Sequence, residues 1–352
     1  MKKLIVIPLV AVGMMAMAGC SKSPVKETAK VDAINLANLD TTVAPGTDFY
    51  EYACGGWIKS NPLKPEYSRF GTFDQLRENN QEQLRTLINE LGTTSQEAGS
   101  VAQKIGMLYE MGMDSVKLNK DGLSPVKEQL DAIQRLGTKA DVAKMVAVLH
   151  KEGMAPFFAL FVDADEKNSS MNIVQLYQAG LGMGDRDYYL LDDDATLKVR
   201  DAYKQFIGQL FTLTGASPEQ ADAAVNAVMK IETGIAEISF SREDLRDTQK
   251  NYNKIKLDEF KAKNNPLDWD VYFESMGLME IEYLDAKQLP FYEALGEFLK
   301  NVSIDEQKYY LAFNLLNAAA PYLSDDFVAA EFDFYGKTMS GKQEQQPRWK
   351  RS

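Results

Sequence analysis

The chain has 352 residues, 45% of them hydrophobic, and a formal net charge of −12 from 39 basic and 51 acidic side chains. That is enough apolar material for a large core and for two subdomains. The acidic balance argues against nucleic acid and anionic lipid surfaces as partners, and a single histidine, His150, excludes any metal site built on paired imidazoles.

The first residues read as an address. Lys2 and Lys3 form a positive region, and Leu4–Met17 an apolar run shorter than the ~20 residues a membrane-spanning helix needs. Ala18-Gly19-Cys20 follows, the order of a bacterial lipobox, in which the cysteine is diacylated and becomes the new amino terminus. Residues 1–19 are thus expected to be a lipoprotein signal peptide and 20–39 a lipid-anchored tether. The chain would sit in the bacterial cell envelope, on the periplasmic or outer-membrane face, held to the membrane by its acyl chains; the alternative is an ordinary cleaved signal. With Cys20 acylated, Cys54 is the one thiol left, either buried and inert or awaiting a partner elsewhere.

Residues 40–352 read as one mainly α domain with a minor β-hairpin. Gly55 and Gly56 suit a tight turn against Trp57. Phe73, Leu76, Leu84, Leu87, Ile88 and Leu91 recur at helical spacing, which predicts one buried face. Ser124-Pro125 opens another helix, and a third spans about Asp141–Glu152, stopping at Gly153. His150, in its last turn, is expected to be a cap or surface residue. Phe157–Val162 and Met171–Tyr177 predict a hairpin around Asp163–Ser170. Ser217-Pro218-Glu219-Gln220 has capping-box spacing and opens a long helix. A boundary is expected at Lys263–Pro266, and from Phe332 to Ser352 the periodicity fades into an aromatic and basic tail with no helical face to join.

Three superficial motifs fail on spacing. Gly180, Gly182 and Gly184 lack the G-x-G-x-x-G pattern and its βαβ unit. Asp163, Asp165 and Asn168 lack the glycine of a calcium loop. Asp192–Asp194 is a solvated turn. Asp185-Arg186-Asp187 reads as a structural turn, with an arginine held between carboxylates as the alternative.

Five blocks occur in a fixed order: Asp48–Trp57, Ser68–Arg77, Gly180–Tyr189, Arg246-Asp247 with Tyr252-Asn253, and Phe332–Tyr335 with the terminal Pro347-Arg348-Trp349-Lys350-Arg351. Together they resemble the non-catalytic amino-terminal half of the neprilysin and endothelin-converting-enzyme family of zinc metallopeptidases. The resemblance implies the helical domain that covers the peptidase cleft and restricts substrates to small peptides. The family's H-E-x-x-H and N-A-x-Y motifs do not occur, so the E-x-x-x-D that follows them in the family and supplies its third zinc ligand has no counterpart. This chain is therefore expected to carry no catalytic residue and no zinc, which belongs to the full-length family, and to be inactive by itself. Peptides become partners once the catalytic half is supplied.

Two arginines close together suit a peptide's free carboxylate, because the guanidinium fork matches it. By resemblance, Arg69 and Arg77 match the family's arginines that contact the carboxyl-terminal side of the substrate; the plain alternative is one surface arginine before a helix and one on its exposed face. Cys54 matches a family cysteine whose disulfide partner lies in the region this chain lacks. Three readings follow: an incomplete peptidase, a stand-alone lipoprotein peptide-binding or scaffold module, and another enzyme, for which no nucleophile–base pair is visible. Unburied surface facing a missing half would make the chain alone prone to associate.

Overall fold

The computed structural model describes residues 35–264 and 267–351, which fall into two compact units, one within 35–62 and one within 63–351. Cys20 and the signal segment lie outside the described residues.

In the first unit a 3₁₀ turn, Leu36–Asn38, precedes helix α1, Phe49–Ser60. The Asp48 carboxylate caps α1, accepting the Glu51 N–H at 2.9 Å. Gly55 and Gly56 do not form the expected turn; both lie inside α1. The reason is steric. A Cβ on Gly56 would strike the Ala37 and Leu39 carbonyl oxygens, and one on Gly55 would meet the Glu51 and Asp40 side chains. The glycines let the preceding strand of chain lie directly on the helix. Asp40, paired with Lys59 and hydrogen-bonded by Thr42, is held down at about 2 by those contacts.

The second unit is mainly helical. Helices α2 (Thr72–Thr93) and α3 (Val101–Met113) form a hairpin, with the backbone of α2 at Leu91-Gly92 close to the buried Gly106 of α3. Next come α4 (Ser115–Asp121), α5 (Ser124–Gln134) and α6 (Lys139–Lys151). α6 starts two residues earlier than the apolar pattern suggests, because Thr138 and Asp141 form a capping box. Strands β1 (Phe158–Asp165) and β2 (Asn168–Gln178) make the hairpin, longer and tighter-turned than expected. Helices α7 (Asp187–Leu190), α8 (Asp194–Leu213) and α9 (Pro218–Ile238) follow, α9 with the anticipated Ser217–Gln220 capping box.

Two short strands escape the sequence pattern: β3 (Lys254–Lys256) and, beyond helices α10 (Leu257–Lys263) and α11 (Trp269–Met276), β4 (Tyr283–Ala286). They complete a four-stranded sheet of order β1-β2-β4-β3, antiparallel except for β2 with β4, where Val174 pairs with Leu284. Buried Asp165 at the end of β1 is taken by Lys254 at 2.9 Å and Tyr252 at 2.9 Å, which fixes β3 to the hairpin. Helices α12 (Leu289–Leu299), α13 (Ile304–Ala319) and α14 (Asp325–Glu331) close the body.

The core has two aromatic centres. Phe158, Phe260, Trp269, Tyr272 and Tyr292 cluster beside α6, and Tyr203, Phe206, Phe313 and Phe334 cluster between α8 and α13. His150 belongs to the first, which corrects the surface assignment: its ring nitrogens lie 2.7 Å from the Tyr272 hydroxyl and 3.2 Å from the Pro156 carbonyl. Burial pushes its pKa down to about 4, so it is neutral.

The tail is also corrected. Phe332–Met339 forms a π-helical continuation of α14, with Phe334 only 2% exposed and stacked on Phe206 at 5.3 Å. A last short helix, α15 (Arg348–Arg351), follows. Conversely, most of the α2 stripe expected to be buried is exposed, Phe73 at 88%, with Ile88 and Leu91 half-buried, and α3 presents Val101, Leu108 and Met111 as well.

Candidate functional site

The Ser68–Arg77 block spans the entry to α2. Asp74 accepts the Gly71 N–H at 3.0 Å, closing the first turn, and its other oxygen takes Arg77 Nη2 at 2.6 Å. Arg77 is thus exposed but oriented, with its guanidinium 5.9 Å from the Tyr67 ring centre. Arg69 is exposed in the segment before α2, and no ion pair holds it among the described residues. Both arginines offer free donors to an anionic group.

Beside them stands a charge cluster that the sequence did not disclose. Glu78 accepts Lys64 Nζ at 2.8 Å, the Tyr67 hydroxyl at 3.0 Å and Lys350 Nζ at 2.9 Å. Burial works to raise the Glu78 carboxyl, but these hydrogen bonds outweigh it and hold it down at about 2. Lys350 lies 5.6 Å over the same Tyr67 ring that Arg77 faces. The terminal Pro-Arg-Trp-Lys-Arg block therefore comes back to the start of α2. Its recurrence as a motif was the available signal; its partner was not readable.

The Gly180–Tyr189 block is an internal support. Gly180 has φ +95° and is boxed in: a Cβ there would lie 2.7 Å from the Tyr310 hydroxyl and 2.8 Å from the Phe157 nitrogen. Tyr310 donates to the Gly180 carbonyl at 2.9 Å and accepts the Phe157 N–H at 3.0 Å. That bond helps to hold Phe157 in the left-handed region at φ 66°, a conformation costing roughly 1–3 kcal/mol. Tyr335 donates to the Gly182 carbonyl at 2.9 Å.

Beneath the loop, buried Glu232 accepts the Tyr189 and Tyr203 hydroxyls at 2.6 and 2.8 Å. Burial pushes its carboxyl up to about 7, the two hydroxyls pulling the other way. Arg186 is not held between Asp185 and Asp187; its Nη1 donates to the Ser239 carbonyl at 2.6 Å, while Asp185 pairs with Arg242.

Cys54 is a free, half-buried thiol in α1. Among the described residues no three His, Cys, Asp or Glu side chains come together as a metal site. Both nitrogens of the one histidine are engaged, so the described residues do not fit a zinc ligand set.

Comparison with known proteins gives one answer. The chain is 29% identical to human endothelin-converting enzyme 1 over 331 residues, covering 90% of this chain and 42% of that protein. It is 30% identical over 254 residues to an endothelin-converting enzyme homolog of Locusta migratoria. The crystal structure of Mycobacterium tuberculosis zinc metalloprotease ZMP1 with an inhibitor superposes with a TM-score of 0.85 at 25% identity, covering 90% of this chain and 49% of that one. PepO from Lactobacillus rhamnosis shares the fold, with a TM-score of 0.73 at 18% identity. The chain thus spans less than half the length of these relatives. The amino-terminal family model of Peptidase family M13 matches residues 45–352, and the chain belongs to that family.

Proposed function

We propose that this chain is the amino-terminal helical part of a zinc endopeptidase acting on small peptides, and that it holds and limits substrate while a zinc-bearing region supplies the chemistry. The observation that carries this reading is the match over 45–352 to the family's amino-terminal part, against relatives more than twice as long. The many large apolar side chains that α2 and α3 leave exposed support it, since such surface is normally covered by a partner. That hairpin is the docking surface for the zinc-bearing region.

In this reading Arg69 and Arg77 take the free carboxylate of the substrate. Asp74 aims Arg77, whose remaining guanidinium N–H groups are left for the carboxylate. The test is selectivity in the enzyme completed with the zinc-bearing region of a close relative. Arg69→Ala weakens free-acid peptides several-fold and barely affects their amides; equal losses would make the arginine structural.

Attachment belongs to the same proposal. Cys20 is lipidated and holds the protein to the bacterial envelope, supported by the order of positive, apolar and small-residue segments before it. Cys20→Ala would release the protein from the membrane fraction or leave it unprocessed; retention with lipid at the mature size would contradict this. A stand-alone peptide-binding module is the second reading. It is favoured by the packing of the segment 343–351 back onto α2.

A further inference from the structure

Over the Gly180–Gly184 loop opens a cavity of about 490 Å³ whose wall includes neither Arg69 nor Arg77. Small-ligand sites occupy roughly 300–1,000 Å³, so this one suits about two or three peptide residues. Its floor is preorganised, because Tyr310 and Tyr335 bind the loop's carbonyls and Gly180 admits no side chain. A floor that cannot relax is the kind of surface on which a ligand loses little entropy.

The polar groups of the wall are unequal. Arg242 is neutralised by Asp185. Arg186 pairs with no carboxylate among the described residues; Nη1 serves the Ser239 carbonyl, and the guanidinium carries further N–H donors. On α13, Asn317 donates to the Tyr335 hydroxyl at 3.0 Å, while its own buried Oδ1 has no donor among the described residues. That oxygen is shut off from solvent, so Asn317 holds Tyr335 in place and offers the cavity no acceptor. Phe240, Leu245 and Phe313 supply an apolar wall.

We propose that this cavity binds the carboxyl end of a short peptide: Arg186 takes the carboxylate and the apolar wall the last side chain. A guanidinium with spare N–H donors beside aromatic and aliphatic side chains matches that chemistry. Inorganic phosphate fits it poorly, having no apolar part for the wall of Phe240, Leu245 and Phe313. The site is separate from the arginines at α2, and its occupancy does not depend on a zinc-bearing region.

Calorimetry on the purified chain tests this with acetyl-Ala-Leu as free acid, the same dipeptide as its amide, and inorganic phosphate. The free acid binds, and the amide and phosphate bind about tenfold or more weakly, the usual loss when a charge-assisted pair is removed. Arg186→Gln brings a similar loss. Leu245→Trp, which fills the cavity from its edge, abolishes binding with the thermal midpoint retained. The double variant Arg69→Ala, Arg77→Ala binds like the parent. The assignment is overturned if acid and amide bind equally, if millimolar free acid does not bind, or if a folded Leu245→Trp protein binds normally. A loss confined to the Arg69, Arg77 double variant would also overturn it, while leaving the proposed function standing.

Discussion

Lys350 Nζ donates to Glu78 Oε1 at 2.9 Å, joining the segment 343–351 to the second turn of α2. The same segment places its Gln343 and Glu344 N–H groups on the Pro65 carbonyl, at 2.9 and 3.1 Å, and lays Trp349 4.4 Å from the Arg85 guanidinium. The lysine side chain is only 8% exposed, so this is a partly desolvated pair. Lys350→Met should cost about 1–2 kcal/mol, allowing for remaining solvent screening. Limited proteolysis should then cut within 343–351 faster in the variant than in the parent; equal rates would show that the pair does not hold the segment.

Glu232 and His150 set opposing pH dependences. Burial raises Glu232 from 4.5 to about 7, so between those values the folded state keeps a proton that the unfolded state has lost. Its share of stability is full below about pH 4.5 and falls as pH rises through 7, a change of about 3 kcal/mol at most. His150 is lowered by burial from 6.5 to about 4, so its share is lost as pH falls from about 6.5 towards 4. The two slopes partly cancel. Glu232→Gln should leave a protein whose denaturation midpoint rises more steeply from pH 4.5 to 6.5 than that of the parent. An unchanged pH profile would mean that folding does not raise the Glu232 carboxyl.

Asp165 and Glu78 act at lower pH. Asp165 is held near 2 chiefly by its hydrogen bond from Lys254, and Glu78 near 2 by Lys64, Lys350 and Tyr67 against its burial. Their stabilisation is present above the unfolded carboxylate pKa of about 4 and is lost as pH falls towards 2. Lys254→Met should therefore shift acid unfolding, followed by circular dichroism, to higher pH, and no shift would count against the Asp165 pairing.

The exposed hairpin predicts a change in association without a change in folding. Phe73→Ser with Leu108→Ser removes two large side chains from solvent, 88% and 72% exposed in the chain. Stability should move by no more than about 0.5 kcal/mol, while hydrophobic-dye binding and self-association fall. Strong destabilisation instead would show that these side chains are packed in solution.

The parts of the fold that local chemistry dictates were legible. Ser217 with Gln220 announced the start of α9, and Gly153 the end of α6, because capping and positive φ leave residue-type signatures. What a surface faces is not local. The apolar period from Phe73 to Leu91 marks α2 correctly as a helix yet says nothing about what covers it. Gly55 and Gly56 look like a turn until the carbonyls of Ala37 and Leu39 are seen lying against them. Likewise β3 and β4 are too short to carry a pattern, and Asp165 is held by residues 87 and 89 positions away. Of the candidate site, the family blocks identified Arg69 and Arg77, whereas Lys350 and the Glu78 cluster depend on tertiary closure.

The most direct measurement concerns catalysis. The purified chain is assayed for zinc and for hydrolysis of a small peptide, alone and after mixing with the separately expressed zinc-bearing region of a close relative. The chain alone should hold no stoichiometric zinc and hydrolyse no peptide, and chelator-sensitive hydrolysis should appear once the two associate and be lost when Phe73→Ser and Leu108→Ser are introduced. About one tightly held zinc per chain, or chelator-sensitive hydrolysis by the chain alone, would overturn the proposed division of labour.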